Sequence, residues 1–334
     1  MWPYRDRPAR PVASRDAGAR AATPGVYTEL QDLIRLQWAA RGFSLLPRQP
    51  LRSVLAGRHA ARIRGRGLDF EELRDYRPGD DVRSIDWKVT ARTRKPHTRV
   101  YTDERERRVL LVVDQRLAMF FGTRVQMKSV TAAELAALLA WHVVNAGDRV
   151  GAVVFDDALT VEIEPHRSRK NVLRLLEALI ERNGALGLDR GIAGDAARIN
   201  TVLEGVARRA THDWTVVIAS DFHGADAATQ RLVKRIARHN DVIAALIHDP
   251  VALELPVMER TVVSDGRLQI ELDLASARTR AQVEALLAQR FRQVRRLEAE
   301  LDVPVLAIDT TGDVAGQLRR ALGFPAARAA GGRR

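Results

Sequence analysis

A dense run of charged residues, RDYRPGDDVRSIDWKVTAR, occupies residues 74–92. Its arginines, among them Arg74 and Arg83, could bind phosphate groups while Tyr76 or Trp87 stacks on a base, which is the chemistry of a nucleic-acid site. Four aspartates alternate with these arginines and would repel phosphate. The run also contains no histidine that could activate a nucleophile, which disfavours an active site.

The same run can also form a structural clasp. Pro78-Gly79 predicts a turn whose backbone amides Asp80 can accept, and an arginine can donate a forked pair of hydrogen bonds to a carboxylate. The apolar residues alternate with polar ones, which predicts a strand with one buried face, formed by Ile85, Trp87 and Val89. We favour this clasp, which is compatible with a docking surface, over nucleic-acid binding and catalysis.

The composition limits the classes of function. None of the 334 residues is cysteine, so disulfides, thiol catalysis and cysteine-ligated metals are excluded. The net charge is +12, and residues 1–108 alone carry 24 Lys and Arg against 14 Asp and Glu, a balance of +10. This basic third predicts an acidic partner, either a nucleic acid or an acidic protein surface. No run of 18 apolar residues and no signal peptide is found, so we expect a soluble cytoplasmic protein with no transmembrane segment.

The spacing of apolar residues predicts two folded parts. Residues 26–107 combine an N-terminal helix with a small β-rich charged module. In residues 108–322, short apolar strands such as VLLVVD alternate with helices, which is typical of an α/β fold with a doubly wound, mostly parallel sheet of Rossmann type. A hairpin is expected near residues 262–272, where Asp265-Gly266 joins two alternating runs. The termini, residues 1–25 and 323–334, are predicted to be disordered basic tails.

The charged run, taken with the apolar strand that follows it, resembles the bacterial domain-of-unknown-function 58 family. Members carry a Gly-x-[Asp/Glu]-Phe-x-x-x-Arg-x-Tyr-x-x-Gly-Asp-x-x-Arg-x-Ile-[Asp/Asn]-Trp motif ahead of a von Willebrand factor A-like domain. The matching positions are Gly67, Asp69, Phe70, Arg74, Tyr76, Gly79, Asp80, Arg83, Ile85, Asp86 and Trp87. The resemblance implies a von Willebrand A-like fold for residues 108–322 and association with a MoxR-type AAA+ ATPase.

The resemblance also implies where a divalent ion would bind. Many von Willebrand A domains hold an ion in an Asp-x-Ser-x-Ser loop, completed by a distant threonine and aspartate, and hard oxygen ligands of this kind suit Mg²⁺. Asp114 and Asp221 match the two aspartates, but Arg116 and Ala118 replace the serines. We therefore expect no Mg²⁺ and no other cofactor at this degenerate site, and we expect Arg116 to pair with Asp114 or Asp221 instead.

These observations favour a non-enzymatic adaptor or scaffold that acts with a MoxR-type AAA+ ATPase in chaperone-like assembly or activation of client proteins. In that case the motif residues form the partner surface. One alternative is a nucleic-acid-associated protein that uses the basic N-terminal third. Another is divalent-metal-dependent binding or hydrolase activity at Asp114 and Asp221. The chain contains no P-loop, His-Glu-x-x-His or Gly-x-Ser-x-Gly motif.

Overall fold

The chain divides into a smaller unit, residues 56–106, and a larger unit that comprises residues 1–55 and 107–334. The computed structural model describes residues 24–41, 68–76, 82–103, 107–188, 190–252, 261–264 and 269–323. The predicted tails therefore lie outside the described residues, except for residues 24–25 and 323.

The first described helix, α1 (Leu30–Ala39), packs in the larger unit. Its Leu33 side chain is fully buried, and the indole Nε1 of Trp141 donates to the Leu33 carbonyl at 3.0 Å. The sequence pattern predicts this helix together with the β-rich module, in residues 26–107. In the structure it belongs instead to the core of the α/β unit.

The smaller unit is an antiparallel hairpin with a helix in its connection. Strand β1 (Leu68–Asp75) pairs with β2 (His97–Asp103), and α2 (Trp87–Thr93) lies between them in the chain. The strand predicted from the alternation of Ile85, Trp87 and Val89 is therefore wrong. Asp86 begins a helix there, because its Oδ1 accepts the backbone amides of Lys88 and Val89 at 3.0 and 3.1 Å. The predicted burial of Trp87 is also wrong, since the residue is 64% exposed.

The larger unit alternates strands and helices, as predicted. After α1 its elements are β3 (Arg108–Asp114), α3 (Lys128–Asn145), β4 (Arg149–Phe155), β5 (Thr160–His166), α4 (Arg169–Gly184), α5 (Arg198–Arg209), β6 (Trp214–Ser220), α6 (Ala227–Ala237), β7 (Asp241–His248), β8 (Thr261–Ser264), β9 (Gln269–Leu272), α7 (Ala277–Leu301), β10 (Val305–Asp309) and α8 (Val314–Ala321). The predicted hairpin is confirmed as β8 paired with β9, although its turn lies outside the described residues.

Six strands form one sheet in the order β10-β7-β6-β3-β4-β5, and only β5 runs antiparallel to its neighbour. Alternate residues of the apolar strand β3 reach opposite faces. Val109, Leu111 and Val113 pack with α1, α3, α4 and α8, whereas Leu110 and Val112 pack with α5, α6 and α7. The doubly wound, mostly parallel class is thus confirmed. The strand order reverses between β3 and β6, and open sheets of this kind bind ligands at the carboxyl ends of the strands flanking that point.

Candidate functional site

Asp114 and Asp221, the two aspartates predicted at the candidate site, lie at this switch point. Asp114 is the last residue of β3, and Asp221 follows Ser220, the last residue of β6. All three residues are buried. The hydroxyl of Ser220 donates to Asp114 Oδ2 at 2.6 Å, so side chains from the two strands meet directly.

Arg116 occupies the centre of the site. Its Nε lies 3.0 Å from Asp114 Oδ1 and its Nη2 lies 2.7 Å from Asp114 Oδ2, which makes the pair bidentate. The residue is only 1% exposed. Burial alone would lower the pKa of Arg116, but the adjacent Asp114 carboxylate outweighs it and raises the pKa above its ordinary value. The guanidinium is therefore a permanent positive charge at the position where the resemblance implies a metal ion.

The other donors of Arg116 bind backbone carbonyls of two further loops. Nη1 donates to the carbonyls of Asp195 and Ala196 at 3.2 Å each, and Nη2 donates to the carbonyl of His223 at 3.0 Å. Together with the bonds to Asp114, these contacts use all five N–H donors of the guanidinium. Arg116 thus ties the α4–α5 and β6–α6 loops to the end of β3.

Two local features bring these loops close enough for Arg116 to bind the carbonyls of both. Gly224 has φ +80°, and a Cβ at this position would lie 2.0 Å from the carbonyl oxygen of Ala196, so a glycine is needed where the loops meet. The Asp157 carboxylate accepts the backbone amide of Leu117 at 2.6 Å and that of Asp195 at 2.7 Å. We call the contacts of Asp114, Arg116, Asp157 and Ser220 the Arg116 network.

Asp221 has a cationic partner that was not predicted from the sequence. The Nζ of Lys128 lies 2.5 Å from Asp221 Oδ2, and both side chains are buried. Lys128 is the first residue of α3, where the helix dipole disfavours a positive charge. The unfavourable position of Lys128 at a helix N-terminus was the one sequence signal for this ion pair, because a lysine buried there requires a carboxylate nearby.

These residues do not fit a divalent ion. The two aspartates that would bind it are each paired with a buried cation, and the guanidinium of Arg116 occupies the space between the loops. Ala118 lies in a short 3₁₀ turn, Leu117–Met119, and contributes no ligand. No cluster of three or more histidine, aspartate or glutamate side chains with metal-binding geometry occurs among the described residues. The arrangement can link three loops rigidly, and the carboxylates that would bind a metal are instead engaged by Arg116 and Lys128.

Millimolar Mg²⁺ or Mn²⁺ is accordingly expected to leave the melting temperature unchanged. An ion present at a hundred times its Kd would add about 2.7 kcal/mol of stability, equivalent to a rise of several degrees in a domain of this size. Differential scanning fluorimetry with each ion, and with EDTA as the control, measures this. A rise of about 5 °C or more that EDTA reverses would contradict the assignment.

A second buried polar cluster, also missed from the sequence, lies beyond the ends of β7 and β10. The Asp249 carboxylate accepts the amide and hydroxyl of Thr123 at 2.8 and 2.5 Å, the Thr310 hydroxyl at 2.7 Å and the Val251 amide at 3.0 Å. Burial alone would raise the pKa of Asp249, but the hydrogen bonds from Thr123 and Thr310 outweigh it and hold the pKa below its ordinary value. This cluster fixes the middle of the β3–α3 loop.

The family motif lies in the smaller unit, apart in the chain from these clusters. Arg74 and Tyr76 lie at the end of β1, where the Tyr76 amide donates to the Pro96 carbonyl at 2.9 Å. Arg83 is exposed on a 3₁₀ turn, Val82–Ser84, and Asp86 caps α2. Asp69 and Phe70 lie on β1. Gly67, Gly79 and Asp80 lie outside the described residues.

The fold and the site together define a doubly wound α/β protein whose switch point is closed by two buried ion pairs. Residues 72–293, more than half of the chain, match the family described as protein of unknown function DUF58, and the chain belongs to that family. This confirms the family resemblance found in the sequence. Similar proteins include uncharacterized proteins of Mycobacterium tuberculosis and Mycobacterium bovis, each 33% identical over 232 residues, or 70% of this chain and 71% of the relative.

Proposed function

We propose that the protein is a non-enzymatic adaptor with a von Willebrand A-like domain, and that it acts with a MoxR-type AAA+ ATPase on client proteins. The doubly wound sheet and the family membership support this proposal, because the fold and the partner are both implied by the resemblance. The partner surface that we propose is the motif-bearing smaller unit. Residues such as Arg83 and Trp87 present exposed side chains there.

The observation that carries the non-enzymatic part is the Arg116 network. An active site needs a nucleophile, a base or an open metal position within reach of a substrate. At this switch point both carboxylates are buried in ion pairs, and all five donors of Arg116 are engaged. These bonds favour a rigid binding scaffold, and they weaken the alternative of a metal-dependent hydrolase at Asp114 and Asp221.

A pull-down with a purified MoxR-type ATPase from the same genome tests the proposal. The wild-type chain is expected to capture the ATPase, and Arg83→Glu is expected to weaken capture about tenfold, since reversing an interfacial charge costs about 1.4 kcal/mol or more. Arg174→Glu is the matched control, because it reverses another exposed arginine, on α4 of the larger unit, and should leave capture intact.

Two results would count against the adaptor proposal. The first is no capture of the ATPase by wild-type chain at micromolar concentration. The second is equal loss for Arg83→Glu and Arg174→Glu, which would indicate general electrostatics rather than the motif surface. Circular dichroism and the melting temperature of each variant establish that the fold is retained in these comparisons.

The metal-dependent alternative is separated from this proposal by the ion titration described above. The nucleic-acid alternative concerns the smaller unit and not the switch point. Helix α2 of that unit exposes an aromatic ring and several cations, which favour it.

A further inference from the structure

The outward face of α2 combines one large aromatic ring with several cations. Trp87 is 64% exposed, and every cation from there to the start of β2 is exposed as well. These cations are Lys88, Arg92, Arg94 and Lys95. The opposite side of the helix faces the hairpin, where the Thr90 hydroxyl accepts the His97 amide at 3.1 Å. The tryptophan and the cations therefore share one solvent-facing surface, which we call the α2 face.

Two of the aspartates that interrupt this stretch in the sequence, Asp75 and Asp86, lie outside the helical residues of α2. Asp86 is only 8% exposed, and its carboxylate accepts two backbone amides as the helix cap. Asp75 lies on β1, with its carboxylate 3.2 Å from the imidazole Nδ1 of His97. The objection that alternating aspartates would repel phosphate thus does not apply to Asp86, whereas 73% of the Asp75 side chain is exposed. Among the described side chains, the α2 face carries cations without carboxylates.

Three features of this face are unfavourable for the isolated protein. Lys88 and Arg92 are four residues apart on a helix, a spacing at which like charges repel. Arg94 ends the helix with φ 58°, a left-handed conformation that glycine adopts with less strain. Trp87 leaves most of a large apolar ring in water. Local conflicts that coincide on one surface point to a binding function for that surface.

We propose that the α2 face binds single-stranded nucleic acid, with an unpaired base stacked on Trp87 and the backbone phosphates bound by the neighbouring cations. Sites of this class combine an aromatic stacking platform with cations that follow the phosphate backbone. An acidic protein surface would also match the cations, and competition with poly-glutamate distinguishes it from nucleic acid. The inference shares Trp87 with the proposed partner surface, but it does not rest on the ATPase partner.

Fluorescence anisotropy of a labelled 20-nucleotide oligo-dT, titrated with the full-length chain over a series of salt concentrations, tests the inference. Trp87→Ala is expected to weaken binding about 5- to 150-fold, which is the loss of one stacked base. The slope of log K against log salt should not change, because no charge is removed. Trp87→Phe keeps a stacking ring and should retain most of the affinity.

The matched control is Trp38→Ala. Trp38 is equally exposed, at 63%, and lies under the guanidinium of Arg41 at 5.0 Å, but it belongs to α1 in the larger unit. Its removal should leave oligo-dT affinity unchanged. Because the comparison is between variants of one chain, binding by the other basic segments contributes equally to both.

The cations are tested through the salt dependence. Replacing both Lys88 and Arg92 with alanine should reduce the magnitude of the slope by about 1.4, since each phosphate contact on a single strand contributes about 0.7. The inference is overturned if Trp87→Ala binds oligo-dT as tightly as the wild type. It is also overturned if poly-glutamate of equal charge displaces oligo-dT as effectively as unlabelled oligo-dT does, because the surface would then recognise charge alone and an acidic protein would fit it equally well.

Discussion

Replacing Arg116 with alanine is expected to lower the free energy of unfolding by about 3–5 kcal/mol. The variant leaves the Asp114 carboxylate buried without its cation, and it removes the donors of the carbonyls of Asp195, Ala196 and His223. An uncompensated buried charge is one of the few ways in which a single substitution produces an effect of this size. Urea denaturation followed by circular dichroism measures the change.

Arg35→Ala is the control for the loss of an arginine. Its guanidinium lies 3.1 Å from Asp32 on the surface of α1, where 72% of the Arg35 side chain is exposed, so the loss should be below about 1 kcal/mol. If Arg116→Ala also costs less than about 1 kcal/mol, the buried pair is not what holds the switch point together.

A double-mutant cycle separates the ion pair from the other bonds of Arg116. Asp114→Ala combined with Arg116→Ala should cost less than the sum of the single variants by about 1–3 kcal/mol, because the second substitution removes the stranded partner charge. The part of the loss that persists comes from the loop carbonyls and from the Ser220 hydroxyl and Arg116 amide, which lose Asp114 as their acceptor. Strict additivity would mean that the two side chains do not interact in the folded protein.

The sheet was predictable because its signals are local. The β3 segment is a continuous apolar run of the kind that is buried on both faces. Ser168, a residue type that favours the N-cap position, caps α4 through its hydroxyl. The region of Ile85 and Val89 was not predictable by periodicity alone. These two residues lie four apart, so they share a face in a helix as well as in a strand, and the Asp86 cap decides between the two.

The candidate site was predictable only in part, because some of its contacts join residues that are far apart in the sequence. Asp114 and Asp221 follow apolar strands, so the topology of a doubly wound sheet brings them to one edge. The partners that define their chemistry come from elsewhere: Lys128 lies 93 residues before Asp221, and the carbonyls bound by Arg116 lie about 80 and 107 residues after it. Backbone carbonyls carry no residue-type signal, so no sequence pattern could identify them.

Asp249→Asn should destabilise the protein more strongly at pH 7 than at pH 3. The wild-type carboxylate accepts four hydrogen bonds, and hydrogen bonds to charged groups are worth about 1.5–3 kcal/mol, so a loss of about 3 kcal/mol is expected at neutral pH. The folded-state pKa of Asp249 is depressed below its unfolded value. Its contribution is therefore fully present above the ordinary aspartate pKa, about 3.9, and is lost as the pH falls towards the folded pKa.

Thr310→Val is the matched variant for this cluster. It keeps the shape of the side chain and removes one donor, the hydroxyl that lies 2.7 Å from Asp249 Oδ2, so a smaller loss of about 1–2 kcal/mol is expected at pH 7. Urea midpoints for the wild type and both variants from pH 7 to pH 3 give the comparison. A difference between wild type and Asp249→Asn that stays constant over this range would show that the hydrogen bonds do not favour the ionised carboxylate. In that case the β3–α3 loop would be held by shape and not by charge.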